Sequence, residues 1–187
     1  MSKVVKQTND VFISEADQYV FGQGTHYEIY KKLGAHMCTH DGKGGVFFAV
    51  WAPNAQDVYV IGEFNGWNET ANKMERIGEG GIYTTFIENV SEGQMYKYLI
   101  ELADGRKLYK ADPYANYAEL RPGTASRVYD LNHFEWNDSK WMTAREKKDM
   151  NKEPLAIYEC HIGSWMKHPD GTEDGFYTYR QFADRMI

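Results

Sequence analysis

The stretch Val46–Trp67, VFFAVWAPNAQDVYVIGEFNGW, constrains this chain more than any other. It holds two β-branched and aromatic runs, Val46–Ala52 and Val58–Gly62, joined by Pro53-Asn54-Ala55-Gln56-Asp57. Runs of this composition around a Pro/Asn joint predict two strands and a turn. The first run is almost wholly apolar, which fits a strand buried on both faces or one crossing a tight sandwich core. The second alternates Val58/Val60 with Tyr59/Ile61, which fits an inner strand with one partly covered face. The chain then turns through Gly62–Gly66 and presents Trp67, flanked by Asn65 and Asn68. An indole held there is either a sugar-stacking platform or a core plug, and the residues alone leave both open.

Upstream, Ser14-Glu15-Ala16-Asp17 has the form of a capping box with Asp in place of Glu, opening a short helix that Gly22 closes. Thr25–Glu28 repeats the device before Ile29, Tyr30 and Leu33, with Gly34 as the stop. Helices this short need a surface to dock on. The first ten residues are expected to be disordered. Strands are predicted at Ala35–His40, Ile82–Ile87, Met95–Leu102, Arg106–Lys110 and Ala125–Asp130, with Asp104-Gly105 as a hairpin signal. Asn68–Gly81 is polar, with Met74 as a lone anchor, and Pro113 makes Ala111–Ala115 an extended loop. Seven or so short strands close most naturally as a sandwich.

Composition narrows the function classes. Aromatic residues make up 15% of the 187, with 14 Tyr and 17 Gly, which favours a β-sandwich over a helical bundle. A formal charge of −6 argues against a nucleic-acid partner, which needs concentrated Lys and Arg. No run is long enough to span a membrane, and the start MSKVVKQTND lacks the apolar segment of a signal peptide. Two distant cysteines, Cys38 and Cys160, form no disulfide framework, so free thiols and a cytoplasmic location are expected.

The character changes after Asn132. Trp136 and Trp141 are expected to pack a segment that ends in the charged, solvated run Arg145–Glu153. Leu155–Ile162 is predicted as a strand. After the loop Lys167–Gly175, residues Tyr179, Phe182, Ala183, Met186 and Ile187 follow helical spacing within Thr178–Ile187. Strand, loop and helix are the opening unit of an α/β layer, left here without partners, so the sequence looks cut rather than finished.

These residues resemble the bacterial 1,4-α-glucan branching enzymes. The resemblance is carried by YKKLGAH (30–36), FAVWAPNA (48–55), VIGEFNGWN (60–68), YKY (96–98), KADPYA (110–115), ELRPGTAS (119–126) and IYECHIGSW (157–165). FAVWAPNA and VIGEFNGWN are shared with many family-48 carbohydrate-binding modules, while the later motifs are more specific. The resemblance implies an N-terminal helical segment at 1–35, a β-sandwich carbohydrate-binding module at 36–131, a linker at 132–154 and, at 155–187, the start of a catalytic (β/α)8 barrel. The expected class is therefore mainly β, an immunoglobulin-like sandwich with short helices and one β-loop-α unit. Such enzymes form α-1,6 branches by retaining transfer through a covalent glycosyl intermediate that a glucan 6-hydroxyl resolves. The catalytic carboxylates of the resembled family belong to later strands, so no catalytic residue is carried over and the chain is expected to be inactive alone. The implied partners are α-glucan (glycogen or maltooligosaccharide) and the rest of the barrel; no cofactor is implied.

By the same resemblance the glucan-binding candidates are Trp67, Lys97, Asn65 and Asn68. Lys97 stands mid-strand on the face opposite Tyr96 and Tyr98, where it either snorkels to water or donates to a ligand hydroxyl. A second stacking Trp, common in the hairpin of glycogen-sensing relatives of such modules, is replaced around Arg106-Lys107-Leu108, and Ser126 stands where those relatives often have Asn. One platform implies weak affinity, roughly millimolar, useful through many sites on one polymer. His36, Cys38 and His40 share one strand face and could ligate a metal, but three ligands without a fourth in so short a stretch are more often coincidence. Glu159, His161 and Ser164 lack the surroundings of a nucleophilic set. Rival readings are a stand-alone glucan-binding or regulatory module, a related debranching or trehalose-releasing enzyme, and an immunoglobulin-like interaction domain.

Overall fold

The strands form where the sequence is β-branched and aromatic: β1 (Gly34–His40), β2 (Lys43–Trp51), β3 (Ala55–Gly62), β4 (Glu75–Ile77), β5 (Ile82–Glu88), β6 (Met95–Leu102), β7 (Lys107–Lys110), β8 (Tyr117–Ala118) and β9 (Ser126–Arg127). The structure is a computed structural model that describes residues 11–168 and 175–187. The expected disorder of the first ten residues lies outside the described residues, as does most of the loop at 167–175. The chain divides into two compact units, one ending at Glu135 and the other running Trp136–Ile187.

In the first unit, antiparallel pairing builds two sheets, β1-β2-β5-β4 and β3-β6-β9-β8, with β7 also paired to β6. The mainly β sandwich expected from the sequence is the fold present. Period-2 alternation with both faces covered explains why β2 is apolar from Val46 to Val50. Val46, Phe48 and Val50 join Val58, Val60, Tyr96, Tyr98 and Val128 in the main core. Phe47 and Ala49 belong to a second core with Val11, Ile29, Leu33 and Ile82, so the N-terminal segment covers the outer face of the first sheet. That docking surface is what the short helices need. The free edge of β3 is also covered: Val60 N–H donates to Asn72 O (2.9 Å) and Met74 N–H to Val58 O (2.8 Å).

A polar node sits within this apolar interior. The hydroxyls of Tyr96 and Tyr98 donate to Asp112 Oδ2 at 2.6 and 3.2 Å. The Asp112 amide donates to Ser126 Oγ (2.8 Å), and Tyr114 N–H donates to Asp112 Oδ1 (2.8 Å). Burial pushes the Asp112 carboxyl above its usual range despite these donors, and burial together with the Asp112 charge raises both phenols. Nearby His36 is pushed down by burial, and its Nε2 lies 2.9 Å from Leu33 O. Three motifs that are far apart in sequence, YKY, ADPY and TAS, thus meet at one residue, Asp112.

Helix α1 (Glu15–Gly22) has the capping box read from Ser14 and Asp17. Asp17 also lies 2.9 Å from His26 Nε2 and 3.2 Å from Lys32 Nζ, tying α1 to the segment that follows. Burial acts to raise the Asp17 carboxyl, but the hydrogen bonds from Ser14, His26 and Lys32 outweigh it and hold the group well below the usual range. The second predicted capping box is absent. Ile29–Lys31 is a single 3₁₀ turn whose N-cap, Glu28, makes no side-chain cap, because the Thr25 hydroxyl donates back to Val20 O instead. Residues 126–127 alone form the last strand where Ala125–Asp130 was expected, and β4 and β8 arise in stretches without strand periodicity.

The second unit holds α2 (Ser139–Glu146), a one-turn α3 (Ile162–Trp165) and α4 (Tyr179–Met186). The amphipathic terminal helix is present, capped by a Thr178–Gln181 box. The strand predicted at Leu155–Ile162 does not form, and Leu155, Ile157 and Tyr158 are exposed. A barrel strand is held by hydrogen bonds to neighbouring strands, and among the described residues this segment has none. Trp136 and Trp141 are exposed at 76% and 61% rather than buried, and Ser139–Glu146 is helical where linker was expected. No described helix is long and apolar enough to cross a membrane.

Candidate carbohydrate-binding face

Trp67 owes its position to the way β3 ends. Gly62 is extended, and a Cβ there would stand 2.4 Å from Met95 O and 2.7 Å from the Phe64 ring, so only glycine fits. The 3₁₀ turn Glu63–Asn65 follows, with Phe64 packed on Phe48 at 5.8 Å between ring centres. Gly66 and Trp67 then both take the left-handed region, with φ of 61° and 60°. That conformation is uncommon for a bulky side chain and is retained only when the surroundings enforce it. Here they do: Trp67 N–H donates to Gly62 O at 2.8 Å. The indole is 37% exposed, so it is not sealed inside the protein.

Asn65 builds the loop. Its Oδ1 accepts from Gly62 N–H (2.9 Å), and its Nδ2 donates to Val60 O (2.9 Å) and Asn72 Oδ1 (2.7 Å). Those bonds use both ends of the amide, so Asn65 braces the loop that carries Trp67 rather than reaching outward. Asn68 Oδ1 accepts from Thr70 N–H and Oγ1 at 2.9 and 3.0 Å, which closes the next turn and leaves its Nδ2 as a donor.

Lys97 lies one register step from the Trp67 loop, opposite Ile61. It is half-buried, on the strand face away from the enclosed Tyr96 and Tyr98. Its Nζ donates to Thr124 Oγ1 at 2.7 Å and forms no ion pair among the described residues. A cation held by one neutral hydroxyl keeps donor capacity for a ligand.

Sequence reasoning missed Tyr109. It pairs with Leu99 in the β6–β7 hairpin, which puts it on the same face as Lys97. It is 49% exposed, and its hydroxyl donates to Glu69, two residues beyond Trp67. Lys107 also bonds Glu69 (2.8 Å) and approaches Glu101 (3.4 Å), so β7 is strapped to the Trp67 loop. Lys107 and Tyr109 hold Glu69 below its usual range, and Glu69 in turn raises Lys107. The signal was available: Asp104-Gly105 fixes the hairpin, and counting by two from it reaches Tyr109.

The other candidates do not converge. Cys38 is buried in the second core, and burial pushes its thiol up. His40 lies against Phe12 and Phe86, at 5.0 and 5.3 Å between rings, while His36 turns to Leu33 O. Among the described residues no group of three or more His, Cys, Asp or Glu is placed to hold a metal. Ser164 Oγ lies 3.3 Å from His161 Nδ1 inside one turn of α3, a local contact on an exposed surface.

Residues 32–115 match the family model for carbohydrate-binding module 48, the isoamylase N-terminal domain. The chain is 69% identical over 177 residues to the 1,4-alpha-glucan branching enzyme GlgB of Butyrivibrio fibrisolvens, covering 95% of this chain and 28% of that protein. It is 46% identical over 174 residues to GlgB of Bacillus caldolyticus, covering 93% and 26%. The chain therefore spans little more than a quarter of the length of these curated relatives. Among solved structures, Klebsiella pneumoniae pullulanase complexed with maltotriose aligns over 54% of this chain and 10% of that one, at 26% identity and a TM-score of 0.44.

Proposed function

We propose that this chain, which matches carbohydrate-binding module 48 over residues 32–115 and is similar to part of the curated 1,4-alpha-glucan branching enzymes, binds α-glucan for a branching transferase. Trp67 stacks on the apolar face of a glucose ring, Lys97 and Asn68 donate to hydroxyls, and Asn65 holds the loop in shape. Tyr109 adds a second aromatic surface on the same side. The observation that carries this reading is the left-handed, half-open Trp67, fixed by Asn65 and by its own amide beside Lys97. A core plug needs neither that backbone conformation nor that exposure.

The proposed parent activity is formation of α-1,6 branches, in which a bound glucan chain is kept near the catalytic centre while one segment is transferred. Each contact is weak, with one stacked ring contributing about 0.5–1.5 kcal/mol beyond area burial. A polymer offering many equivalent sites compensates through effective concentration. We place this activity in the cytoplasm, a reducing compartment that suits the free thiols of Cys38 and Cys160. Titration of maltoheptaose against tryptophan fluorescence tests the reading. Wild type is expected to saturate, and Trp67→Ala to lose most of the affinity; equal binding by both would overturn it.

A further inference from the structure

We propose that the cleft along the free edge of β1 is a second oligosaccharide site, independent of Trp67. It rests on the glucan-binding reading and extends it to two sites per module. β1 ends its sheet, so among the described residues the backbone groups on its outer side have no strand partner. Facing it is the segment after β9, residues 129–132. Between them lies a cleft of about 320 Å³, lined by Tyr30, His36, Asn116, Tyr129, Asp130 and Asn132 among others. That volume falls within the range of small-ligand sites.

The lining has the chemistry of sugar recognition. Tyr30 is 56% exposed and offers a ring face, with Lys31 Nζ 6.0 Å from its centre. Asn116 is exposed, and its amide makes no hydrogen bond among the described residues. Asp130 Oδ1 accepts from Asn132 N–H (2.9 Å) and Nδ2 (2.8 Å), which fixes that pair and leaves the Asn132 carbonyl oxygen as an acceptor. Planar amides and carboxylates pair with vicinal hydroxyls, and aromatic rings take the C–H faces. Two weak sites on one module would grip one polymer more firmly than either alone.

The test is titration of the ¹⁵N-labelled full chain with maltotriose, followed by amide shifts. Wild type is expected to show two groups of moving signals, one near Trp67 and Lys97 and one at 35–37 with 129–132. Trp67→Ala should abolish only the first. Tyr30→Ala with Asn116→Ala should weaken only the second, at least tenfold. The exposed Asn116→Ala alone, expected to shift the same group by a smaller factor, guards against misfolding of the double variant. Loss of both groups in Trp67→Ala, or a silent cleft beside a moving Trp67 group, overturns the second site and leaves the first intact. Silence at both overturns the glucan reading as well. Movement of the β1 edge with an extended peptide but not with maltotriose also overturns the proposal, in favour of strand addition.

Discussion

The phenolic oxygen of Tyr96 stands 2.6 Å from Asp112 Oδ2, a hydrogen bond enclosed between the two sheets. It joins the start of β6 to the loop after β7, and so ties that loop to the second sheet. Tyr96→Phe keeps the ring and removes the donor, leaving that oxygen with Tyr98 alone, whose bond is longer at 3.2 Å. The expected cost is about 1–3 kcal/mol, the penalty of an under-satisfied buried acceptor. A lower urea midpoint with an unchanged slope would register it; an unchanged midpoint would show the node to be dispensable.

The same carboxylate gives a pH dependence of definite sign. Its folded-state pKa is raised by burial above the ordinary 3.8, so the folded state favours the protonated form. The associated stability is fully present below the ordinary value and is lost as pH rises through the raised one. Asp112→Asn does not titrate. Wild-type stability relative to that variant should therefore fall as pH is raised from below 4 towards neutrality. Parallel pH profiles from thermal melts would contradict this.

Asp17 has the opposite sign. Hydrogen bonds from Ser14, His26 and Lys32 overcome its burial and depress its pKa, so its contribution is present above about 3.8 and declines as pH falls. Asp17→Ala removes half of the capping box and both ties to the following segment. A loss of about 1 kcal/mol is expected at neutral pH. The gap to wild type should narrow between pH 4 and pH 2, and a constant gap would mean that the ion contacts contribute nothing.

How much was legible in the sequence depends on how local each signal is. The apolar run at Val46–Val50 and the Asp104-Gly105 hairpin were readable because alternation and turn chemistry are encoded within a few residues. Asp112 gave no warning, since its partners Tyr96, Tyr98 and Ser126 come from strands brought together only by the fold. Asn65 looked like a ligand contact because Asn beside Trp fits both roles; only its three bonds within the loop distinguish them. Leu155–Ile162 failed for the converse reason. Its composition suits a strand, but a strand is a property of its neighbours as much as of its own residues.

Gly62 is where fold and site depend on one atom. A methyl group there meets Met95 O and the Phe64 ring, so Gly62→Ala must shift β6 or the turn that carries Trp67. Overpacking of this kind costs about 1–3 kcal/mol. The variant is expected to lose glucan binding while remaining folded at low temperature, with its tryptophan emission altered before any ligand is added. Wild-type emission and affinity would show that the turn tolerates the displacement.

Tyr109 separates stacking from strapping. Its ring faces the Lys97 side of the sheet, and its hydroxyl holds Glu69 and with it the Trp67 loop. If the ring contributes by contact with sugar, Tyr109→Phe keeps most of the affinity and Tyr109→Ala loses it by about 2- to 13-fold, the equivalent of 0.5–1.5 kcal/mol. If the hydroxyl matters because it steadies the loop, Phe and Ala fall together. Lys107 also bonds Glu69, so the loop keeps one strap in either variant and the ring becomes the deciding part. The expected order is therefore wild type close to Phe and well above Ala, measured as maltoheptaose dissociation constants under one set of conditions. Equal losses in the two variants would reassign Tyr109 from the binding surface to its support.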